Sequence, residues 1–148
     1  MKFTVEHPTM SATAKDSSSQ VMILGAPNCG KTALFNRLTG LHHKVGNYPG
    51  ITVEQKSGTV RGSDIVLHDL PGAYNLEGRS IDERIVTEQV AGWQTPENRP
   101  GAVLVVLDAV HLSRSLYLAL QVIEFGLPTI LILNFMDEAR KQHISIDA

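Results

Sequence analysis

Gly25-Ala26-Pro27-Asn28-Cys29-Gly30-Lys31-Thr32 matches the spacing GxxxxGK[ST] in full, between a short apolar run and an amphipathic stretch. Residues of these types at this spacing hold a polyphosphate. The glycines let the backbone curl so that successive N–H groups point at one anion, at the positive end of a helix dipole. Lys31 then reaches the β- and γ-phosphates, and the Thr32 hydroxyl binds Mg²⁺. The nucleotide-binding set on this strand–loop–helix comprises Gly25, Asn28, Cys29, Gly30, Lys31, Thr32 and Ala33.

Two further segments extend that chemistry. Asn134-Phe135-Met136-Asp137 follows an apolar run and has the spacing NxxD. A carboxylate at Asp137 accepts from both the ring N–H and the exocyclic amine of guanine; adenine offers no such pair. The Asn134 amide can hydrogen-bond guanine and brace the phosphate loop. Asp69-Leu70-Pro71-Gly72 also follows a strand pattern: Asp69 would hold Mg²⁺ through water, and the Gly72 N–H would touch the γ-phosphate. Thr52 is placed to give Mg²⁺ a second hydroxyl, although alone it also reads as a threonine that begins a strand. The expected catalytic set is Lys31, Thr52 and Gly72. The expected metal ligands are Thr32, Thr52 and, through water, Asp69.

The elements that must position these groups alternate in type. Strands are expected at Gln20–Leu24, Val53–Val60, Ile65–Asp69, Ala102–Asp108 and Thr129–Asn134, with Arg61-Gly62-Ser63 as a hairpin turn. Helices are expected over Lys31–Thr39, Ile81–Ala91 and Leu112–Ile123, and another beginning near Asp137. Leu41–Gly50 and Leu70–Ser80 read as loops rich in turn formers. Strands alternating with helices give an α/β fold, here a Ras-like P-loop domain with a mainly parallel sheet flanked by helices.

Composition bounds the rest. A chain of 148 residues with 43% hydrophobic and 19% charged residues has the makings of one core. Thirteen Lys and Arg against 15 Asp and Glu leave a charge of −2, which argues against a nucleic-acid partner bound through a large basic surface. The single cysteine, Cys29, excludes an intramolecular disulfide and fits a reducing compartment. No apolar stretch reaches the roughly 18 residues of a spanning helix, so a soluble, cytoplasmic chain is expected. Residues 1–19, polar and rich in Ser, Thr and Lys, read as a flexible tail ahead of a domain over 20–148.

Taken together, GAPNCGKTALFN (25–36), VGNYPGITVE (45–54), DLPGAYNL (69–76) and VLDAVHLSRSLYLALQVIEFGLP through ILNFMDEA (106–139) resemble the amino-terminal G domain of the ferrous iron transport protein B family, FeoB. The second and fourth segments are the particular ones. The resemblance implies a slow, guanine-specific GTPase module on the cytoplasmic face of the bacterial inner membrane. It also implies helical and transmembrane domains as partners, and K⁺ as a helper ion with Asn28 as its ligand. Asn28 has a structural reading too, as a turn residue tolerating an unusual backbone angle.

Some residues depart from related enzymes. Ala73 stands where Ras-like enzymes carry a water-orienting glutamine, which predicts slow intrinsic hydrolysis. Phe135 replaces the lysine of most GTPases, and Ala26 a common family asparagine. The family's next strand and last helix would follow Ala148, so the chain reads as incomplete, with Thr129–Asn134 as an exposed edge open to self-association. Two alternatives remain: an RNA-linked GTPase of the Era or MnmE kind, and a non-catalytic guanine-nucleotide sensor. His42 and His43 read as solvent-exposed, and Arg79, Asp82, Glu83 and Arg84 as a solvated face. Arg114 reads as structurally paired. Cys29, at a helix N-terminus near Lys31, sits where a thiol pKa tends to fall, although packing is its favoured role.

Overall fold

The computed structural model describes residues 19–147, so the expected tail lies outside the described residues except for Ser19. Six strands form one sheet in the order β2-β3-β4-β1-β5-β6. They are β1 (Gln20–Gly25), β2 (His43–Asn47), β3 (Glu54–Thr59), β4 (Val66–Asp69), β5 (Ala102–Asp108) and β6 (Thr129–Asn134). β4, β1, β5 and β6 run parallel, whereas β2–β3 and β3–β4 are antiparallel. Among the described residues four α-helices accompany them: α1 (Lys31–Thr39), α2 (Ile81–Gly92), α3 (Leu112–Ile123) and α4 (Met136–Lys141). A mainly parallel sheet flanked by helices is the expected P-loop architecture.

Alternation along β5 divides the core. Val103, Val105 and Leu107 join Leu24, the α2 residues Ile85, Val86 and Val90, and the α3 residues Leu118, Ala119 and Val122 on one face. Val106 joins Val21, Ile23, Leu67 and Phe35 of α1 on the other. Strands covered on both faces read as continuous apolar runs, which is why AVLVVLD is so uninterrupted. No helix of the described residues is long and apolar enough to cross a membrane.

Two local expectations need correction. Residues 41–50 are not all loop, because β2 pairs with β3 from His43↔Gly58 to Asn47↔Glu54. The strand is largely exposed and holds a glycine, so no periodicity marks it; the distant partner makes it. His43 is half-buried, its ring edge-on to Phe35, and its Nδ1 is buried without a hydrogen-bond partner. Solvent exposure describes His42 and not His43.

β6 forms one edge of the sheet, with Ile130 55% and Leu131 43% exposed. The β3–β4 turn follows expectation: the Val60 N–H donates to the Ile65 carbonyl across it, and Gly62 takes φ 73°.

Candidate functional site

The loops after β1, β4, β5 and β6 all leave from the carboxyl ends of parallel strands, where α/β sheets hold their ligands. The residue types of the phosphate loop fit its backbone. Asn28 takes φ 62°, and Gly30, the N-cap of α1, takes φ 92°. Asparagine and glycine are the residues that enter this left-handed region readily. Asn28 thus has the backbone conformation of its structural reading, while its exposed side chain is free to serve a ligand.

Lys31, Thr32 and Asp69 meet at one point. Lys31 Nζ donates to Asp69 Oδ1 at 2.9 Å, in an ion pair whose side chains are only 10% and 7% exposed. The Thr32 hydroxyl lies 3.5 Å from Asp69 Oδ2. A hydroxyl and a carboxylate side by side are hard oxygen donors, the set that suits Mg²⁺. A cavity of about 370 Å³ opens beside them, lined by Pro27, Asn28, Lys31, Thr32, Gly72 and Asp82 among others. Gly72 lies so close to the phosphate loop that a Cβ there would stand 2.9 Å from Pro27 Cα. The Ala73 N–H donates to the Gly25 carbonyl at 3.1 Å, tying the loop after β4 to the end of β1.

On the β6 side, the Asn134 amide donates to the Cys29 carbonyl at 2.9 Å. Phe135 takes φ 61° as N-cap of α4, and Asp137 stands exposed in the first turn of that helix. Thr52 is exposed and does not line the phosphate cavity. It follows the turn Tyr48–Ile51, closed by a bond from the Ile51 N–H to the Tyr48 carbonyl at 3.2 Å. Gly50 takes φ 77° there, as the third residue of a type II turn requires.

Electrostatics adjusts three groups. Burial raises the Cys29 thiol pKa, outweighing Lys31 and the neighbouring backbone N–H groups. The expected lowering is therefore reversed, and Cys29, 1% exposed, is a packing residue. Burial, with the Asp69 charge second, pushes the Tyr48 hydroxyl up to about 12. At Asp108 burial opposes ionisation, but hydrogen bonds from the His111 ring and the N–H groups of Val110 and His111 outweigh it and lower the pKa.

Two contributors escape a reading of the sequence, and a third, Arg114, has the structural pairing expected of it. Tyr48 is buried in the main core and anchors the NYPG turn, and only its aromatic character hinted at that. Glu83 is buried and not part of a solvated face: it closes a capping box with Ser80 at the start of α2. The spacing Ser80-x-x-Glu83 is the signal that could have found it. Arg114 lies over the Tyr74 ring.

The model of ferrous iron transport protein B matches residues 19–148. The chain belongs to the FeoB family. It is 45% identical over 130 residues to a Fe(2+) transport protein A/Fe(2+) transporter FeoB fusion protein of Porphyromonas gingivalis, covering 86% of this chain and 15% of that protein. It is 43% identical over 129 residues to the Fe(2+) transporter FeoB of Leptospira biflexa, covering 86% of this chain and 18% of that one. The chain thus spans less than a fifth of these relatives.

Among solved structures, the G domain of the T. maritima FeoB iron transporter superimposes with TM-score 0.73 at 42% identity, over 86% of this chain and 76% of that one. A GDP-bound variant of S. thermophilus NFeoB gives TM-score 0.78 at 38% identity, over 87% of this chain and 49% of that one. The similarity falls on the amino-terminal G domain of FeoB proteins and favours that reading over the Era or MnmE kind.

Proposed function

We propose that this chain is the GTP-binding and slowly GTP-hydrolysing regulatory domain of a ferrous iron transporter. The observation that carries the reading is the meeting of Lys31, Thr32 and Asp69 beside a cavity that Gly72 also lines. The GDP-bound relative from S. thermophilus supports guanine as the base. Asn134 and Asp137 would select it, with Asn134 also bracing the phosphate loop through Cys29.

The residues divide the work. Lys31 leaves Asp69 to neutralise the β- and γ-phosphates, and the Gly72 N–H registers the γ-phosphate. Thr32, Thr52 and, through water, Asp69 would hold Mg²⁺, which would supply positive charge to the bound phosphates. The Asn28 amide would hold K⁺, which supplies positive charge beside the β,γ-bridge. No side chain at Ala73 can orient the attacking water. Backbone groups of the two loops must do so, and hydrolysis is slow.

The parts of the larger protein are helical and transmembrane domains, with this domain at the cytoplasmic face of the inner membrane. The exposed Thr129–Asn134 edge is a surface for strand pairing, including self-association; a sharp monomeric sedimentation profile would overturn that.

Titration with fluorescent GDP against ADP, in K⁺ and then Na⁺ buffer, tests the reading. GDP binding that ADP cannot displace is expected; equal displacement would sink the assignment of Asn134 and Asp137. Single-turnover GTP hydrolysis, faster in K⁺, separates this enzyme from a non-catalytic sensor.

A further inference from the structure

Arg114 and Tyr74 take no part in the chemistry above, yet they flank the phosphate loop. The Arg114 guanidinium carbon lies 3.5 Å from the centroid of the Tyr74 ring, well inside cation–π range. Both line a cleft of about 230 Å³ shared with Pro27, Asn28, Asp108 and His111.

Each partner is fixed from behind. Arg114 stands in the first turn of α3. The Asp108 carboxylate anchors that turn by accepting from the Val110 N–H at 2.8 Å and the His111 N–H at 3.2 Å. The Ser115 hydroxyl accepts from the Asp108 N–H at 3.1 Å. Tyr74 directly follows Ala73, whose N–H is bonded to the Gly25 carbonyl, and Gly72, which is pressed against Pro27. Arg114 therefore grips the loop after β4 at the residue next to its docked end.

We propose that Arg114 is a positioning residue for the γ-phosphate: stacked on Tyr74, it holds the Asp69–Ala73 loop against the phosphate loop with Gly72 facing the phosphate cavity. The proposal rests on the nucleotide-site reading above. A nucleoside triphosphate uses the Gly72 N–H, whereas a diphosphate does not. Loss of the contact therefore shifts the loop away from its docked form and taxes only the ligand that needs it. A cation–π pair whose guanidinium is exposed sets the size, about two- to fivefold in Kd.

The test measures Kd for GDP and for a non-hydrolysable GTP analogue on the full chain. R114A and Y74L should each raise the analogue-to-GDP ratio of Kd values by about two- to fivefold, with GDP binding unchanged. Y74F keeps the ring and should match the unaltered chain. R114K keeps a cation over the ring and should stay within about twofold of it. R114A with Y74L should be no worse than either alone. An unchanged ratio in R114A and Y74L, or equal weakening of both ligands, would overturn the proposal, because equal weakening marks a general loss of packing. The guanine reading fails separately, if ADP displaces fluorescent GDP as well as GDP does; the ratio in the variants remains readable in that case.

Discussion

Gly30→Ala tests how the phosphate loop is held, without any nucleotide present. Gly30 has φ 92° and ψ 11°, and an alanine there costs about 1–2 kcal/mol. Its Cβ would also lie 2.1 Å from Asn134 Nδ2 and 3.3 Å from Asn134 Cγ. The amide cannot stay, yet that nitrogen donates the 2.9 Å bond to the Cys29 carbonyl. Losing the bond beside a buried residue costs about 1–3 kcal/mol. The expected loss is about 2–5 kcal/mol, and at about 2–4 °C per kcal/mol it lowers Tm by roughly 5–20 °C. Asn134→Ala loses the same bond but has no backbone strain, so it should cost about 1–2 kcal/mol less. In the Asn134→Ala background the clash and the bond are both gone, and adding Gly30→Ala should then cost only the strain. Urea unfolding of the two single variants and the double variant should therefore give a coupling energy of about 1–3 kcal/mol. Additivity within about 0.5 kcal/mol, or Gly30→Ala proving milder than Asn134→Ala, refutes the reasoning.

Lys31→Met leaves the Asp69 carboxylate buried and unpaired, so urea unfolding should show a loss of about 3–5 kcal/mol; adding Asp69→Leu should recover most of it, and a Lys31→Met variant as stable as the parent would contradict this. Tyr48, raised to about 12 by burial, stays neutral in the fold while the unfolded chain ionises near 10. Its stabilisation is fully present below pH ~10 and is lost as pH rises toward 12, by about 2–3 kcal/mol. Tyr48→Phe should flatten that alkaline limb in denaturant titrations, and an unchanged limb would show that other groups set it. Asp108 has the opposite sign: its lowered pKa gives stability that is present above the ordinary value near ~3.9 and lost as pH falls through the folded value. The stability gap between the parent and Asp108→Asn should close as pH falls from about 5 to about 2, and a constant gap would remove the charge from the explanation.

What the sequence discloses depends on how local the cause is. The phosphate loop and α1 were legible because consecutive residues specify them, with Gly30 before the helix and Gly40 after it, both left-handed. β5 and β6 announced themselves as apolar runs. β2 did not, since His-Lys-Val-Gly-Asn becomes a strand only by pairing with β3. Cys29 shows a local rule losing to burial: the helix N-terminus and Lys31 favour the thiolate, but the core around the sulfur wins. The Tyr74–Arg114 contact joins two elements far apart in the chain, and no spacing could reveal it. Thr52 was legible as a residue type, but its distance from the phosphate cavity depends on a turn whose anchor, Tyr48, is tertiary.

The glycines of the site are also places of close packing. A Cβ at Gly25 would stand 2.6 Å from Cys29 Sγ and 2.8 Å from the Val106 carbonyl oxygen of β5. At Gly30 it would strike Asn134 at the end of β6, and at Gly72 it would strike Pro27 from the loop after β4. Gly25 does not need a positive φ, so its requirement is close approach alone. Each of these glycines thus marks a place where the phosphate loop touches the end of a different strand or the loop that follows it. Interiors are close-packed and not continuously deformable, so a push at one such contact must move its neighbour. On the proposed reading, the phosphate loop is therefore the hub through which γ-phosphate contact at Gly72 and base contact at Asn134 would be felt by the same few backbone atoms. A methyl group at any of the three positions should disturb sites that the added carbon never touches.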